Sequence, residues 1–307
     1  MSVTLIAVVV ALVLGHVAQS LAAAVRHYGW YATWLRWLDA RLPQSDFWRG
    51  RYGIALALLP PLLAVGLLQI ALDAPLLGLA GLAFGIAVLF YSWGPRDLDL
   101  DVDAIVDASD PAARRVAAAR LWPDDAALGD QATVDSAALV EAVFRNAQQR
   151  WFGVLFWFLL LGPFGALLYR LAVLSAEGEA APALPADNRE GSRTLLAVLD
   201  WPVAQLMTLS MALVGNFDSV LGAWKDAGGA SLRLDTAFLG AAARASVRSE
   251  LADEALDYVD AQPGSTAIAV PPLGELPELR DAMSLVWRIL LLWLAVLALF
   301  VIAGWVA

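Results

Sequence analysis

Long apolar runs separated by polar segments dominate the pattern of this chain. Five runs contain no Asp, Glu, Lys or Arg, and they cover residues 3–24, 53–72, 75–94, 151–168 and 289–307. Each is close to the length of about 20 residues that a helix needs to cross a hydrocarbon core ~30 Å thick. The pattern therefore predicts a transmembrane helix over each run.

A sixth apolar segment, residues 195–217, is interrupted by one charge. Asp200 is followed directly by Trp201 and Pro202. This interruption leaves two interpretations open: a sixth crossing, or a broken, re-entrant or interfacial element that protein or water must cover. The fold class predicted is all-α, a polytopic helical membrane protein with five to six transmembrane helices and a helical cytoplasmic portion, forming one domain over residues 1–307.

The arginine distribution predicts the orientation of the spans. Arginines concentrate in residues 25–52, 95–150 and 218–282, and basic segments next to spans stay in the cytoplasm. The polar helical segments 96–150 and 218–282 are therefore predicted to be cytoplasmic, and the loop 171–194 periplasmic and mobile. This favours six spans with both termini outside. No Lys or Arg precedes the first run, so it is expected to be a retained span and not a cleaved signal peptide.

Composition narrows the possible functions. Hydrophobic residues make up 60% of the chain and charged residues 16%, against about 25% charged in soluble domains. A net charge of −10 argues against nucleic acid as a partner. The absence of cysteine excludes thiolate metal sites and disulfides. No nucleotide or dinucleotide motif is found, and no cofactor is predicted.

Two polar features admit both a functional and a structural interpretation. Asp97, Asp99, Asp101 and Asp103 alternate along the chain and are weak candidates for binding a hard cation. An acidic helix start is the favoured interpretation, because on a helix only Asp97 with Asp101, or Asp99 with Asp103, share a face. His16 lies within the first run, where an ionisable group is a functional candidate; a neutral histidine bonded to a neighbouring helix is favoured.

The most specific stretch is LVEAVFRNAQQRWFGVLFWFLLLGPFGALLYR, residues 139–170, with LDWPVA at residues 199–204. It resembles the membrane amide synthases of the cobalamin pathway, CobD/CbiB, and their relative AmpE. Glu141 and Asn146 match the first and last positions of the synthase ESVAEN element. Residues 162–170 match its GxPGALLYR element closely.

The departures from the synthase motif favour the AmpE branch. Arg145 stands where the synthases have a second Glu, and Ala147, Gln149 and Arg150 replace Thr, Asp and Gly. The Asn and Asp that follow the Tyr-Arg end of the synthase motif are also missing after Arg170. An amide-forming enzyme needs such polar groups for activation and positioning.

The AmpE resemblance implies a regulatory protein of the bacterial inner membrane that modulates β-lactamase induction and is linked to cell-wall recycling. The alternative is a divergent CobD-like amide-forming enzyme that acts on another acid. A third possibility is a structural subunit.

The expected partners are the lipid bilayer, an anionic small-molecule ligand, a protein of cell-wall recycling and a second copy of the chain. The ligand-binding candidates are Glu141, Arg145, Asn146, Arg150, Tyr169, Arg170, Asp200 and Trp201. Asp200, an acid in an apolar segment, is expected to have an arginine as its partner.

Overall fold

A computed structural model describes residues 2–17, 24–72, 78–94, 96–122, 135–178, 180–261 and 276–303. The described residues form helices and contain no strand, which confirms the all-α class. The helices are α1 Ser2–Val17, α2 Gly29–Arg41, α3 Asp46–Arg49, α4 Gly53–Leu72, α5 Gly78–Ser92, α6 Leu98–Val106, α7 Pro111–Ala118, α8 Ser136–Ala147, α9 Gly153–Leu161, α10 Pro163–Ala176, α11 Ala186–Val214, α12 Phe217–Asp226, α13 Ala237–Ala261 and α14 Pro277–Ile302.

Three helices in the described part of the chain are long and apolar enough to cross a membrane: α4, α11 and α14. This is fewer than the predicted five to six. Shorter apolar helices occur at Thr4–Gly15, Gly78–Ser92 and Pro163–Ala176. The 15 residues of α5 rise only about 23 Å, which is less than a ~30 Å core. Residues 18–23, at the end of the predicted first span, lie outside the described residues.

Helix α11 excludes a broken helix in the sixth segment and makes this segment a candidate span. It runs for 29 residues without a break and contains Pro202 in its interior. The sequence Asp200–Pro202 therefore does not interrupt the helix. Proline is tolerated inside helices of membrane proteins when neighbouring groups satisfy the freed backbone.

The predicted fourth span, residues 151–168, is instead a helical hairpin. A π-helical turn, Gln148–Phe152, leads into α9, and α10 packs against α9 in the opposite direction. The backbone reverses at Gly162, whose φ is +68°, and Pro163 then begins α10. The apolar residues before this turn, 151–161, rise about 17 Å, so this apolar stretch is shorter than a ~30 Å core.

Close approach of the two hairpin helices depends on glycine. A Cβ atom at Gly165 would overlap the backbone oxygen of Trp157, and one at Gly153 would overlap the ring of Tyr169. These two pairs are related as antiparallel neighbours, four residues apart on each helix. The GPFGALLYR sequence is therefore explained by the turn and by the contact between α9 and α10.

Gln69 of α4 closes the tip of the hairpin. Its Nε2 donates to the backbone oxygen of Leu161 at 3.2 Å, and the backbone N–H of Phe164 donates to its Oε1 at 3.0 Å. Helix ends leave such backbone groups without intrahelical partners. One amide side chain thus satisfies the end of α9 and the start of α10.

The start of α11 lies beside the residues that precede α4. Asn188 Nδ2 donates to Trp48 O at 3.0 Å, and Arg51 Nη2 donates to Thr194 Oγ1 at 3.1 Å. Both helices therefore begin on the same side. The predictions that residues 25–52 are cytoplasmic and that residues 171–194 form a periplasmic loop cannot both hold, because hydrogen bonds join the two segments. Most of residues 171–194 is also helical.

The chain divides into two compact units. The first comprises Met1–Asp97, Gln149–Val203 and Val296–Ala307, and its core includes the buried side chains of Tyr31, Leu35 and Trp48. The second comprises Leu98–Gln148 and Ala204–Ala295; in it α13 packs against α8 and α12, and α7 against α6. The described parts of the polar segments are mostly helical, with bends and turns at residues 107–110 and 227–236; residues 123–134 and 262–275 are not described. A single functional domain over the whole chain stays a prediction.

Candidate functional site

In the first unit, three polar side chains converge on the C-terminal end of α5. The carbonyl groups of residues 90–94 accept hydrogen bonds from Arg26, Tyr28 and Arg170. The distances are 3.0 Å from Arg26 Nε to Phe90 O, 3.0 Å from Arg26 Nη1 to Gly94 O, 2.6 Å from Tyr28 Oη to Tyr91 O and 2.6 Å from Arg170 Nε to Ser92 O. The last carbonyls of a helix lack intrahelical donors and carry partial negative charge. Two guanidinium groups and a phenol satisfy them here.

Both arginines are removed from water. Arg26 is 8% exposed and Arg170 is 2% exposed. The Arg26 guanidinium also lies over the Phe90 ring, 4.7 Å from its centroid. Burial lowers the pKa of Arg26, and the nearby positive charge of Arg170 lowers it further, although a guanidinium stays protonated in proteins. The sequence identified Arg170 as a candidate but not Arg26 or Tyr28. These two residues bind the carbonyl groups at the end of α5, a contact that only the folded structure shows.

Tyr169 and Asp200 form a buried pair between α10 and α11. The Tyr169 hydroxyl donates to Asp200 Oδ1 at 2.5 Å; Tyr169 is fully buried and Asp200 is 8% exposed. Gly153 makes room for the Tyr169 ring, because a side chain there would overlap it. The expectation that Asp200 needs a partner within the protein is met, and this hydrogen bond comes from a phenol instead of the expected arginine.

Breaking this pair is expected to show strong coupling between its two members. Asp200→Ala leaves the Tyr169 hydroxyl buried without this acceptor, which should cost about 1–3 kcal/mol. In a double-mutant cycle, Tyr169→Phe should cost much less in the Asp200→Ala background than in the wild type. The measurement is the free energy of unfolding in mixed micelles. Additive effects of the two substitutions would contradict the pairing.

Two further candidates belong to the same unit. Arg150 is 9% exposed, its backbone oxygen accepts from Gly94 N–H at 3.1 Å, and its side chain covers Gly94 so closely that a Cβ there would lie 2.6 Å from the Arg150 Cβ. Trp201 is partly buried, next to Asp200 on α11. Together with Tyr169 and Arg170, these residues occupy the base of the hairpin, away from its tip.

The other three candidates belong to the second unit. Glu141 and Arg145 lie on α8, and Glu141 forms an ion pair with Arg244 of α13. Asn146 is 8% exposed, and its Nδ2 donates to the backbone oxygens of Leu121 at 2.7 Å and Ala142 at 2.8 Å. The eight candidates are thus distributed over the two units, and a single ligand pocket lined by all of them stays a prediction.

The acidic run on α6 gives no metal cluster. Asp99 accepts a hydrogen bond from Trp287 Nε1 at 2.9 Å, Asp101 is buried and Asp103 is exposed. Within the described residues, no group of three or more His, Cys, Asp or Glu side chains could hold a metal ion. Asp99, Asp101 and Asp103 lie on α6, and Asp97 directly precedes it, so the alternation places the four side chains in different directions.

The apolar helices, together with the apolar α9–α10 hairpin and its buried polar groups, are typical of a helical membrane protein. The family model described as CobD/Cbib protein matches residues 4–174, more than half of the chain, so the chain belongs to the CobD/Cbib family. No curated protein and no solved structure matches it. The matched region contains the α9–α10 hairpin and Glu141, Asn146, Tyr169 and Arg170.

Proposed function

We propose that this chain is a CobD/Cbib family member without amide-synthase activity, a regulatory sensor of the bacterial inner membrane that modulates β-lactamase induction and is linked to cell-wall recycling. The regulatory part of this proposal rests on the AmpE resemblance of residues 139–170 and 199–204. The observation that supports the loss of synthase activity is the engagement of Asn146. An amide nitrogen has two N–H donors, and both are used by the backbone oxygens of Leu121 and Ala142. A group that positions a substrate in an amide-forming reaction must keep donors for that substrate.

The remaining motif positions support the same conclusion. Glu141 is held by Arg244, and Arg170 is held by the backbone oxygens of Ser92 and Gln149. The residues that replace the missing polar groups include Arg145 and Arg150, which suit an anionic ligand because guanidinium groups pair bidentately with carboxylate and phosphate.

The experiment that tests this proposal is β-lactamase induction by a β-lactam in wild type, a clean deletion, and strains carrying Glu141→Ala or Asp200→Ala. We expect the deletion to change the induction curve, and at least one point variant to reproduce the change at a wild-type level of protein in the membrane. Glu190→Ala is the matched control, since Glu190 is an exposed acid in a surface pair with Arg193, worth little to stability.

Unchanged induction in the deletion strain would overturn the regulatory proposal. A change that Glu190→Ala reproduces would separate the effect from the candidate residues and would contradict their role. Immunoblots of membrane fractions are needed for every strain, because loss of Asp200 is also expected to lower stability.

Membership of the CobD/Cbib family favours a second candidate function, a divergent amide synthase. The Glu141 side chain remains 41% exposed, so it retains access to a substrate. This function requires turnover that depends on Glu141 and accumulation of an unused acid in the deletion strain; failure to rescue a strain lacking the cobalamin-pathway synthase would exclude only action on the usual corrinoid acid. Absence of both results removes this candidate.

A further inference from the structure

An apolar groove opens on the surface of the first unit between α4 and α11. Its volume is ≈ 650 Å³, and Phe164 at the start of α10 closes one end. Ligand sites in proteins typically enclose about 300–1,000 Å³, so the groove has the capacity of a binding site. Its walls are leucine, isoleucine, valine and alanine side chains, and Leu59, Leu63 and Val198 are 53%, 52% and 46% exposed.

The groove has one polar end, and that end lies where both of its helices change from polar to apolar. Arg51 and Tyr52 line it just before α4 begins at Gly53. Thr194 lines it from α11, one residue before the apolar stretch that starts at Leu195. The Arg51 Nη2–Thr194 Oγ1 hydrogen bond of 3.1 Å ties the two sides together at this level.

This register matches the boundary between headgroups and hydrocarbon. Helices α4 and α11 are both candidate membrane spans, so their shared transition from polar to apolar residues marks the bilayer surface. Arginine and tyrosine are the residue types that occupy this level. Tyr52 is 78% exposed, which is consistent with a position among lipid headgroups.

The apolar part of the groove is about one leaflet deep. Its lining residues on α4 run from Ile54 to Leu63, which is about 14 Å of helix at 1.5 Å per residue. Half of a ~30 Å hydrocarbon core is about 15 Å. An acyl chain whose head lies at Arg51 therefore extends along the whole groove without leaving its leaflet.

We propose that this groove is a binding site for an anionic phospholipid, whose phosphate contacts Arg51 and whose acyl chain lies against α4 and α11. Arg51 has five N–H donors in a planar fork that suits phosphate oxygens. Arg51 uses one of its two terminal nitrogens to hold Thr194. Gly191 lets α11 come so close to the backbone of Arg51 that any side chain there would overlap it, and this fixes the arginine at the mouth of the groove.

The site is tested with full-length protein in detergent, titrated with phosphatidylglycerol or with zwitterionic phosphatidylcholine and observed by native mass spectrometry. Wild type should bind phosphatidylglycerol more tightly. Arg51→Gln should weaken that binding about fivefold, equivalent to the ~1 kcal/mol that one basic residue contributes near anionic lipid. Arg51→Lys should keep most of the affinity, because it retains the charge. Val198→Trp should fill the groove and weaken both lipids.

Two matched controls separate this site from general attraction to lipid. Arg49 is an exposed arginine on the same segment, and Leu67 is an exposed leucine of α4; neither lines the groove. Arg49→Gln and Leu67→Trp should leave phosphatidylglycerol affinity within twofold of wild type. Equal binding of the two lipids by wild type, or equal losses in Arg49→Gln and Arg51→Gln, would overturn the proposal. Unchanged affinity in a folded Val198→Trp variant would overturn it as well.

Discussion

Replacing Gly165 by alanine is expected to prevent the α9–α10 hairpin from closing and to lower the free energy of unfolding by about 3 kcal/mol. The added Cβ would overlap the backbone oxygen of Trp157 and would lie 2.8 Å from the Leu161 Cβ. Overpacking costs typically about 1–3 kcal/mol, and this site belongs at the upper end because the nearest obstacle is backbone and cannot rotate away. The measurement is unfolding in mixed micelles, followed by far-ultraviolet circular dichroism.

Gly222→Ala is the matched control for this substitution. Gly222 lies within α12, where an added Cβ meets no atom within 4 Å. Alanine has a higher helix propensity than glycine, so this variant should be as stable as wild type or more stable by up to about 1 kcal/mol. A Gly165→Ala protein as stable as wild type would contradict the close contact between α9 and α10.

The apolar runs correctly predicted where helices occur, but they predicted more membrane-spanning helices than the described residues contain. The run at residues 53–72 coincides with α4, and the run at 289–307 lies largely within α14. Local composition determines whether a segment is a helix in an apolar environment, since backbone groups there must be satisfied within the segment. Composition does not determine where a helix stops. The shorter α5 and the divided segment at 151–168 therefore escaped the prediction.

The hairpin depends on one local and one distant feature. Glycine followed by proline at positions 162 and 163 is a recognised turn signal, yet both residues were included in one predicted span, residues 151–168. The distant feature is Gln69, which binds both sides of the turn from a position about 90 residues earlier in the chain. No pattern along the chain connects Gln69 with Gly162.

Orientation was mispredicted for the same reason. The positive-inside rule counts each apolar run as one crossing. A run that turns back at Gly162 changes the side of everything that follows it. The hydrogen bonds of Asn188 and Arg51 with partners across the two segments reveal the error, because they join residues that the rule had separated by a membrane.

The sequence predicted which residues belong to the candidate site but not which groups they contact. The motif led to Tyr169, Arg170 and Asp200, all of which are buried and hydrogen-bonded. The sequence did not reveal that α5 ends among these groups, so Arg26 and Tyr28 were absent from the candidates. Every residue has a backbone carbonyl group, so the sequence does not indicate which carbonyl groups will bind these side chains.

Arg170→Ala is expected to lower the free energy of unfolding by about 3–5 kcal/mol, because it leaves a cavity and removes the donor of a buried carbonyl, which alone costs about 1–3 kcal/mol. The Arg170 side chain is 2% exposed, and its loss deprives the backbone oxygens of Ser92 and Gln149 of their donors. Arg170→Lys should recover only part of this loss, because an ammonium group cannot reach two carbonyls as a planar guanidinium does. Unfolding in mixed micelles measures both variants.

A surface arginine provides the comparison. Arg193 has a side chain that is 58% exposed and pairs only at long range, 3.9 Å, with Glu190, so Arg193→Ala should change stability by less than about 0.5 kcal/mol. If Arg170 instead serves a ligand, Arg170→Ala will retain near wild-type stability and alter β-lactamase induction at a normal protein level. That result would contradict the structural role derived from the end of α5. Two results together would assign a structural role to Arg170 and leave sensing to other residues. Arg170→Ala would lose much of its stability, and Arg170→Lys would restore induction in strains where its protein accumulates.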